Sequence, residues 1–142
     1  WMTDQGFIER TKHGNIRDLI SRRHLDGEDF TLEPGEPLAQ AVRRMRMYDV
    51  SQMAVLDEHG KVAGILDESD VLVALTGRKA DPHSPVAEFM TRKLETITPE
   101  ATLEKVLEIL EDGMVAIVCD EDQYYGLITR IDVIHFLREQ LP

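Results

Sequence analysis

The sequence predicts an α+β chain made of two copies of one strand, helix, strand, strand, helix unit. The first observation behind this is an internal repeat. "FTLEPGEPLAQAVRRM", from Phe30, aligns with "ETITPEATLEKVLEIL", from Glu95, matching Thr31 to Thr96, Pro34 to Pro99 and Leu38 to Leu103. Further along, "AVLDEHGKVAGILDESDVLVAL" aligns with "IVCDEDQYYGLITRIDVIHFL", matching Gly64 to Gly126 and Asp70 to Asp132. The second copy is three residues shorter, between "RMRMYDVSQM" and "EILEDGMV". That is a loop-length change, which a repeated core tolerates. The second observation is that the same change of period, from helical spacing to short apolar runs around a turn, occurs in both copies.

In the first copy a short strand at Thr31 precedes Pro34, and Leu38, Ala41, Val42 and Met45 then fall on one face of a helix. Strands near Met53 to Leu56 and Val62 to Leu66 flank the turn "DEHG" and read as a hairpin. A closing helix follows near Ser69 to Leu75. The second copy repeats this with Leu103, Val106, Leu107 and Leu110 on its helix, strands near Val115 to Val118 and Tyr124 to Ile128, and a closing helix near Ile131 to Leu137. "TGRKADPHSPVAEFMTRKL" between them reads as a linker, with "SPVAEFM" suited to a short helical turn. Upstream, Ile16, Leu19 and Ile20 form an apolar stripe that predicts a helix starting near Gly14 and Asn15. The predicted division is 1–29 as an N-terminal linker and helix, 30–80 as the first copy, and 81–142 as the inter-repeat linker with the second copy.

Composition narrows the function. The net charge of −11, from 16 basic and 27 acidic residues, argues against binding a nucleic-acid backbone. No apolar run approaches the roughly eighteen residues of a membrane span, and the N-terminus lacks a signal-peptide pattern, so the expected location is cytoplasmic with no membrane partner. Cys119 is the single cysteine, which forbids an internal disulfide and fits burial as a small hydrophobe. His13, His24, His59, His83 and His135 show no metal-ligand spacing, so no metal site is expected. The chain has no G-x-S-x-G elbow, Walker loop or G-x-G-x-x-G turn, so no catalytic residues are predicted.

The stretch "GLITRID", residues 126–132, places Thr129 three residues before Asp132, which is how many helices begin. The equivalent "GILDESD" places Asp67 before Asp70. Asp caps a helix as well as Thr does, so capping alone accepts either version.

These stretches, with "TLEPGEPLAQAV", "TITPEATLEKVL" and the "V-x-E-x-M" link "PVAEFM", resemble a tandem pair of cystathionine-β-synthase-type (CBS) domains, the Bateman module, over roughly residues 16 to 140. The resemblance implies two pseudo-symmetric CBS domains packed sheet to sheet, commonly associated as homodimers. It also implies a cleft for an adenosyl ligand such as S-adenosylmethionine, AMP or ATP. In that family a G-Φ-Φ-T-x-x-D stretch holds ribose, which carries over to Thr129 and Asp132. By the family's geometry the same ligand touches "VSQM" of the first copy: backbone groups at Ser51 and Met53 would read the adenine edge, with Gln52 nearby, and Val50, Leu127 and Ile131 would give apolar contact. Arg130 lies beside this site and favours a phosphate-bearing ligand, whereas the negative net charge favours a cationic sulfonium. In the first copy a second carboxylate, Asp67, stands where the Thr belongs, so the site near Asp67 and Asp70 is expected to be degraded.

"WMTDQGFIER" is similar to the end of the catalytic domain of a cystathionine β-synthase, and the start at Trp suggests an excised fragment. The implied function is therefore regulatory, acting on a catalytic domain of the parent chain that carries pyridoxal phosphate; the fragment itself needs no cofactor. A different class of function is a ligand-free dimerisation module, with Val71, Leu72, Leu75, Val133, Ile134 and Phe136 of the closing helices as the contact.

Overall fold

The computed structural model describes Ile16, Leu19 and residues 31–77, 81–121 and 123–140. Backbone contacts divide the chain into two units, Phe30–Leu94 and a second that joins Glu95–Pro142 to the N-terminal stretch. Among the described residues, each unit holds one three-stranded sheet, a crossover helix and a closing helix.

In the first unit β1 (Thr31–Leu32) runs parallel to β2 (Gln52–Leu56), which pairs antiparallel with β3 (Val62–Asp67). A parallel neighbour needs a crossover, and α1 (Leu38–Tyr48) supplies it. A tight turn joins β2 to β3: Asp57 Oδ1 accepts the His59 and Lys61 N–H groups at 2.8 and 3.0 Å. The closing helix α2 (Glu68–Thr76) follows β3 without a loop. The second unit repeats the order with β4 (Glu95–Ile97), α3 (Leu103–Glu111), β5 (Ala116–Asp120), β6 (Gln123–Ile128) and α4 (Arg130–Gln140). The predicted α+β repeat is thus what forms. Its pseudo-symmetry extends to a detail invisible in the hydropathy: the register slips between Val55 and Leu56 in one sheet and between the aligned Val118 and Cys119 in the other.

The helices pack on one face of each sheet. Leu38, Ala41 and Met45 of α1 meet Met53, Val55 and Leu66 in the first core, while Leu103, Val106, Ile109 and Leu110 of α3 meet Ala116, Val118 and Ile128 in the second. Ile16 and Leu19, both helical, join the second core, and Ile16 is almost completely buried there. Ile20 lies outside the described residues.

The segment after α2 behaves differently from a linker. The N–H groups of Leu38 and Ala39, which begin α1 after an N-cap Pro37 without a side-chain cap, donate to the Ser84 and Pro82 carbonyls at 2.8 and 2.9 Å. The expected helical turn forms at Val86–Glu88, and Val86 and Met90 enter the first core. By backbone contacts the stretch up to Leu94 therefore falls in the first unit, whereas the predicted division placed 81–94, as the inter-repeat linker, with the second copy. The reason is that Pro37 leaves helix donors that need acceptors, and this stretch supplies them.

No described helix is long and apolar enough to cross a membrane.

Candidate functional site

Both closing helices begin directly from a strand, which points their first turns at the C-terminal ends of β3 and β6. At the start of α4 the Asp132 Oδ2 accepts the Thr129 N–H at 2.8 Å and the Thr129 hydroxyl at 2.9 Å. The Thr129 Oγ1 in turn accepts the Asp132 N–H at 3.4 Å, and the Thr129 carbonyl accepts the Val133 N–H at 3.2 Å. Thr129 is 6% exposed, a buried hydroxyl in an otherwise apolar interior among the described residues. Its bond to Asp132 satisfies it and fixes the carboxylate's direction at the end of β6. A carboxylate is an acceptor of hydroxyl donors, and the paired hydroxyls of a vicinal diol are donors of the matching kind.

The flanking residues have different fates. Arg130 serves α3: its Nε and Nη2 donate to the Leu110 carbonyl, at 3.3 and 2.8 Å, near the end of that helix. A cation there complements the negative helix end. Leu127 is buried and pairs with Ile117, whereas Ile131 is half exposed.

The first copy presents two carboxylates. Asp67 Oδ1 accepts the Asp70 N–H at 2.7 Å and Asp70 Oδ2 accepts the Asp67 N–H at 3.1 Å, a reciprocal cap at the start of α2. Burial pushes the Asp70 carboxyl above its ordinary value; the Asp67 charge adds to the rise, against the opposing Asp67 N–H and Thr91 hydroxyl. Because the folded state holds this proton more tightly than the unfolded chain, stability from Asp70 falls as pH rises above the usual carboxylate value and stays lowered at neutral pH. Asp70→Asn should remove that component, so denaturant melts should show the variant gaining on the parent between pH 3.5 and 7; an unchanged difference would remove Asp70 as its source.

The "VSQM" residues lie in this same unit. The Val50 N–H donates to the Met45 carbonyl at 3.1 Å, and the Ser51 carbonyl accepts the Glu68 N–H at 3.0 Å, anchoring the first turn of α2. The Gln52 side chain accepts from the Ser51 hydroxyl at 3.2 Å, and Met53 is fully buried in the core. Val50 and Ser51 also line a groove of about 510 Å³ between α1 and α2, with Met45, Val71 and Leu72 as apolar walls. The structure thus gathers Val50 to Met53 with Asp67 and Asp70 in one unit, and Leu127 to Asp132 in the other. Thr91, which no sequence pattern singled out, adds a hydroxyl 3.3 Å from both Asp70 oxygens.

Cys119 is half-buried, and burial, then the Asp120 charge, pushes its thiol up, which keeps it protonated at neutral pH. Among the described residues no group of His, Cys, Asp and Glu side chains is placed to hold a metal ion.

The family model described as "CBS domain" matches residues 16–77 and 86–139. A cystathionine beta-synthase from Dictyostelium discoideum is 27% identical over 96% of this chain and 30% of its own length, so the chain spans under a third of that relative. Among solved structures, the CBS-domain containing protein ATU1752 from Agrobacterium tumefaciens superposes with a TM-score of 0.67 at 24% identity, covering 75% of this chain and 82% of its own. The CBS domain pair of protein MJ0100, solved with 5-methylthioadenosine and S-adenosyl-L-methionine, superposes with a TM-score of 0.68 at 20% identity, covering 79% and 90%. At these identities the two superpositions establish the fold.

Proposed function

This chain belongs to the CBS domain family as a tandem pair, and on that premise we propose that it is a regulatory module binding an adenosyl metabolite, S-adenosylmethionine or AMP/ATP. The observation that carries this is the buried Thr129 hydroxyl locked to Asp132, which presents an oriented carboxylate at the end of β6. Ribose offers that carboxylate two hydroxyls. The ligands of the MJ0100 structure, both adenosyl compounds, support the class. Arg130 spends two donors on Leu110, which shifts recognition from phosphate toward the nucleoside.

The likeness to a cystathionine beta-synthase over nearly all of this chain supports an attached pyridoxal-phosphate enzyme as the regulated partner, in the cytoplasm, with the module itself non-catalytic. The ligand would act by shifting a population, and only by as much as its affinities for two arrangements differ. Thermal melting with S-adenosylmethionine, AMP and ATP tests the binding: a ligand at a hundred times its Kd adds about 2.7 kcal/mol.

A second reading, a ligand-free homodimerisation module, is favoured by the outer face of α2, where Leu72, Val73 and Leu75 are 64%, 69% and 54% exposed, and by Ile134 of α4 at 55%. Val71, Val133 and Phe136, grouped with them from the sequence, are instead buried. No melting shift with any of the three ligands would favour this second reading.

A further inference from the structure

Thr91 makes a contact that neither helix capping nor the adenosyl reading uses. It follows Met90 at the end of the segment that wraps the first unit, and its backbone forms an isolated bridge with Ile65: the Thr91 N–H donates to the Ile65 carbonyl at 2.8 Å and the Ile65 N–H to the Thr91 carbonyl at 2.9 Å. This approach depends on Gly64. A Cβ there would stand 2.7 and 2.8 Å from the Met90 sulfur and Cγ, and 2.8 Å from the Thr91 carbonyl oxygen, which is backbone and cannot swing aside. The bridge in turn holds the Thr91 side chain beside the start of α2, where its hydroxyl reaches both Asp70 carboxylate oxygens at 3.3 Å.

A hydroxyl donated to a carboxylate that also accepts a backbone N–H from Asp67 is the contact a sugar hydroxyl would make in the same place. We infer that Thr91 is an internal occupant of the first copy's carboxylate. It is a latch that fastens the segment between the copies to the start of α2, and a diol would have to displace it before using Asp70. The latch rests on the geometry of the first unit alone; its bearing on ligand occupancy rests on the adenosyl reading, and the test below uses no ligand.

The test is amide hydrogen exchange on the full chain, comparing the parent with Thr91→Val and Thr91→Ser after correction for intrinsic rates. Thr91 is exposed, so both variants keep the fold. Valine keeps the size and loses the hydroxyl, and should speed exchange of the Ile65 and residue-91 amides about five-fold, the factor for one modest hydrogen bond. Serine keeps the hydroxyl and should restore the parent rate, and the Met53 and Val55 amides in β2 should not change in either variant. Parent-like exchange in Thr91→Val, or equal acceleration in Thr91→Ser, would overturn the latch.

Discussion

On the proposed adenosyl reading, Asp132→Ala should weaken ligand binding at least about a hundred-fold, because hydrogen bonds from two ribose hydroxyls to a carboxylate contribute roughly 1.5–3 kcal/mol each. The same carboxylate that would serve the ligand also caps α4, since its Oδ2 accepts both the N–H and the hydroxyl of Thr129. Alanine therefore also costs about 1 kcal/mol of stability through the lost cap. Asp132→Asn separates the two effects: its carbonyl oxygen can still take the Thr129 donors, while the negative charge that attracts a diol is gone. Calorimetry should find both variants defective in binding and only the alanine variant clearly destabilised. Unchanged affinity in Asp132→Ala would remove the carboxylate from the site, and the adenosyl assignment at α4 with it.

The largest effect on folding is expected from Leu103→Ala. Leu103 is fully buried at the first turn of α3, among Val106, Ile97 and Ile128. Truncating a buried leucine removes its transfer energy and leaves a cavity, a loss of about 2–5 kcal/mol. Against a typical net stability of about 5–15 kcal/mol this is a large fraction. Leu72→Ala provides the contrast, since Leu72 is 64% exposed and should change the melting of the isolated chain by no more than about 0.5 kcal/mol. Chemical denaturation of both variants checks the pair. A loss under 1 kcal/mol at Leu103 would contradict its place in the core.

Particular residues show why some of this was legible in the sequence. Leu38, Ala41 and Met45, and Leu103, Val106 and Leu110, repeat at helical spacing, and a helix against a sheet has one apolar face to hide, so the spacing names that face. The pairing of Thr129 with Asp132 is local, three residues apart, and its geometry follows from the start of any helix. Arg130 is the counterexample. Its position beside the carboxylate suggested a phosphate ligand, yet its guanidinium goes to the Leu110 carbonyl, twenty residues earlier in the chain. A long side chain can reach in several directions, and only the packing of α3 near α4 supplies the acceptor it takes. Val71 and Leu72 are adjacent and both apolar, but the orientation of α2 on its sheet buries one and exposes the other.

The amino-acid sequence by itself determined the two-copy α+β plan, the cores of the main helices and the helix start that presents Asp132. Each of these follows from hydrophobic period, turn chemistry or hydrogen bonds within a few residues. Tertiary structure alone decided that 81–94 folds with the first copy, that Arg130 serves a helix end, and that Thr91 closes on Asp70. The physical reason is range. These contacts join groups from 20 residues apart, for Arg130 and Leu110, to 46, for Leu38 and Ser84, and which donor meets which acceptor at that distance depends on how the strands and helices have already packed.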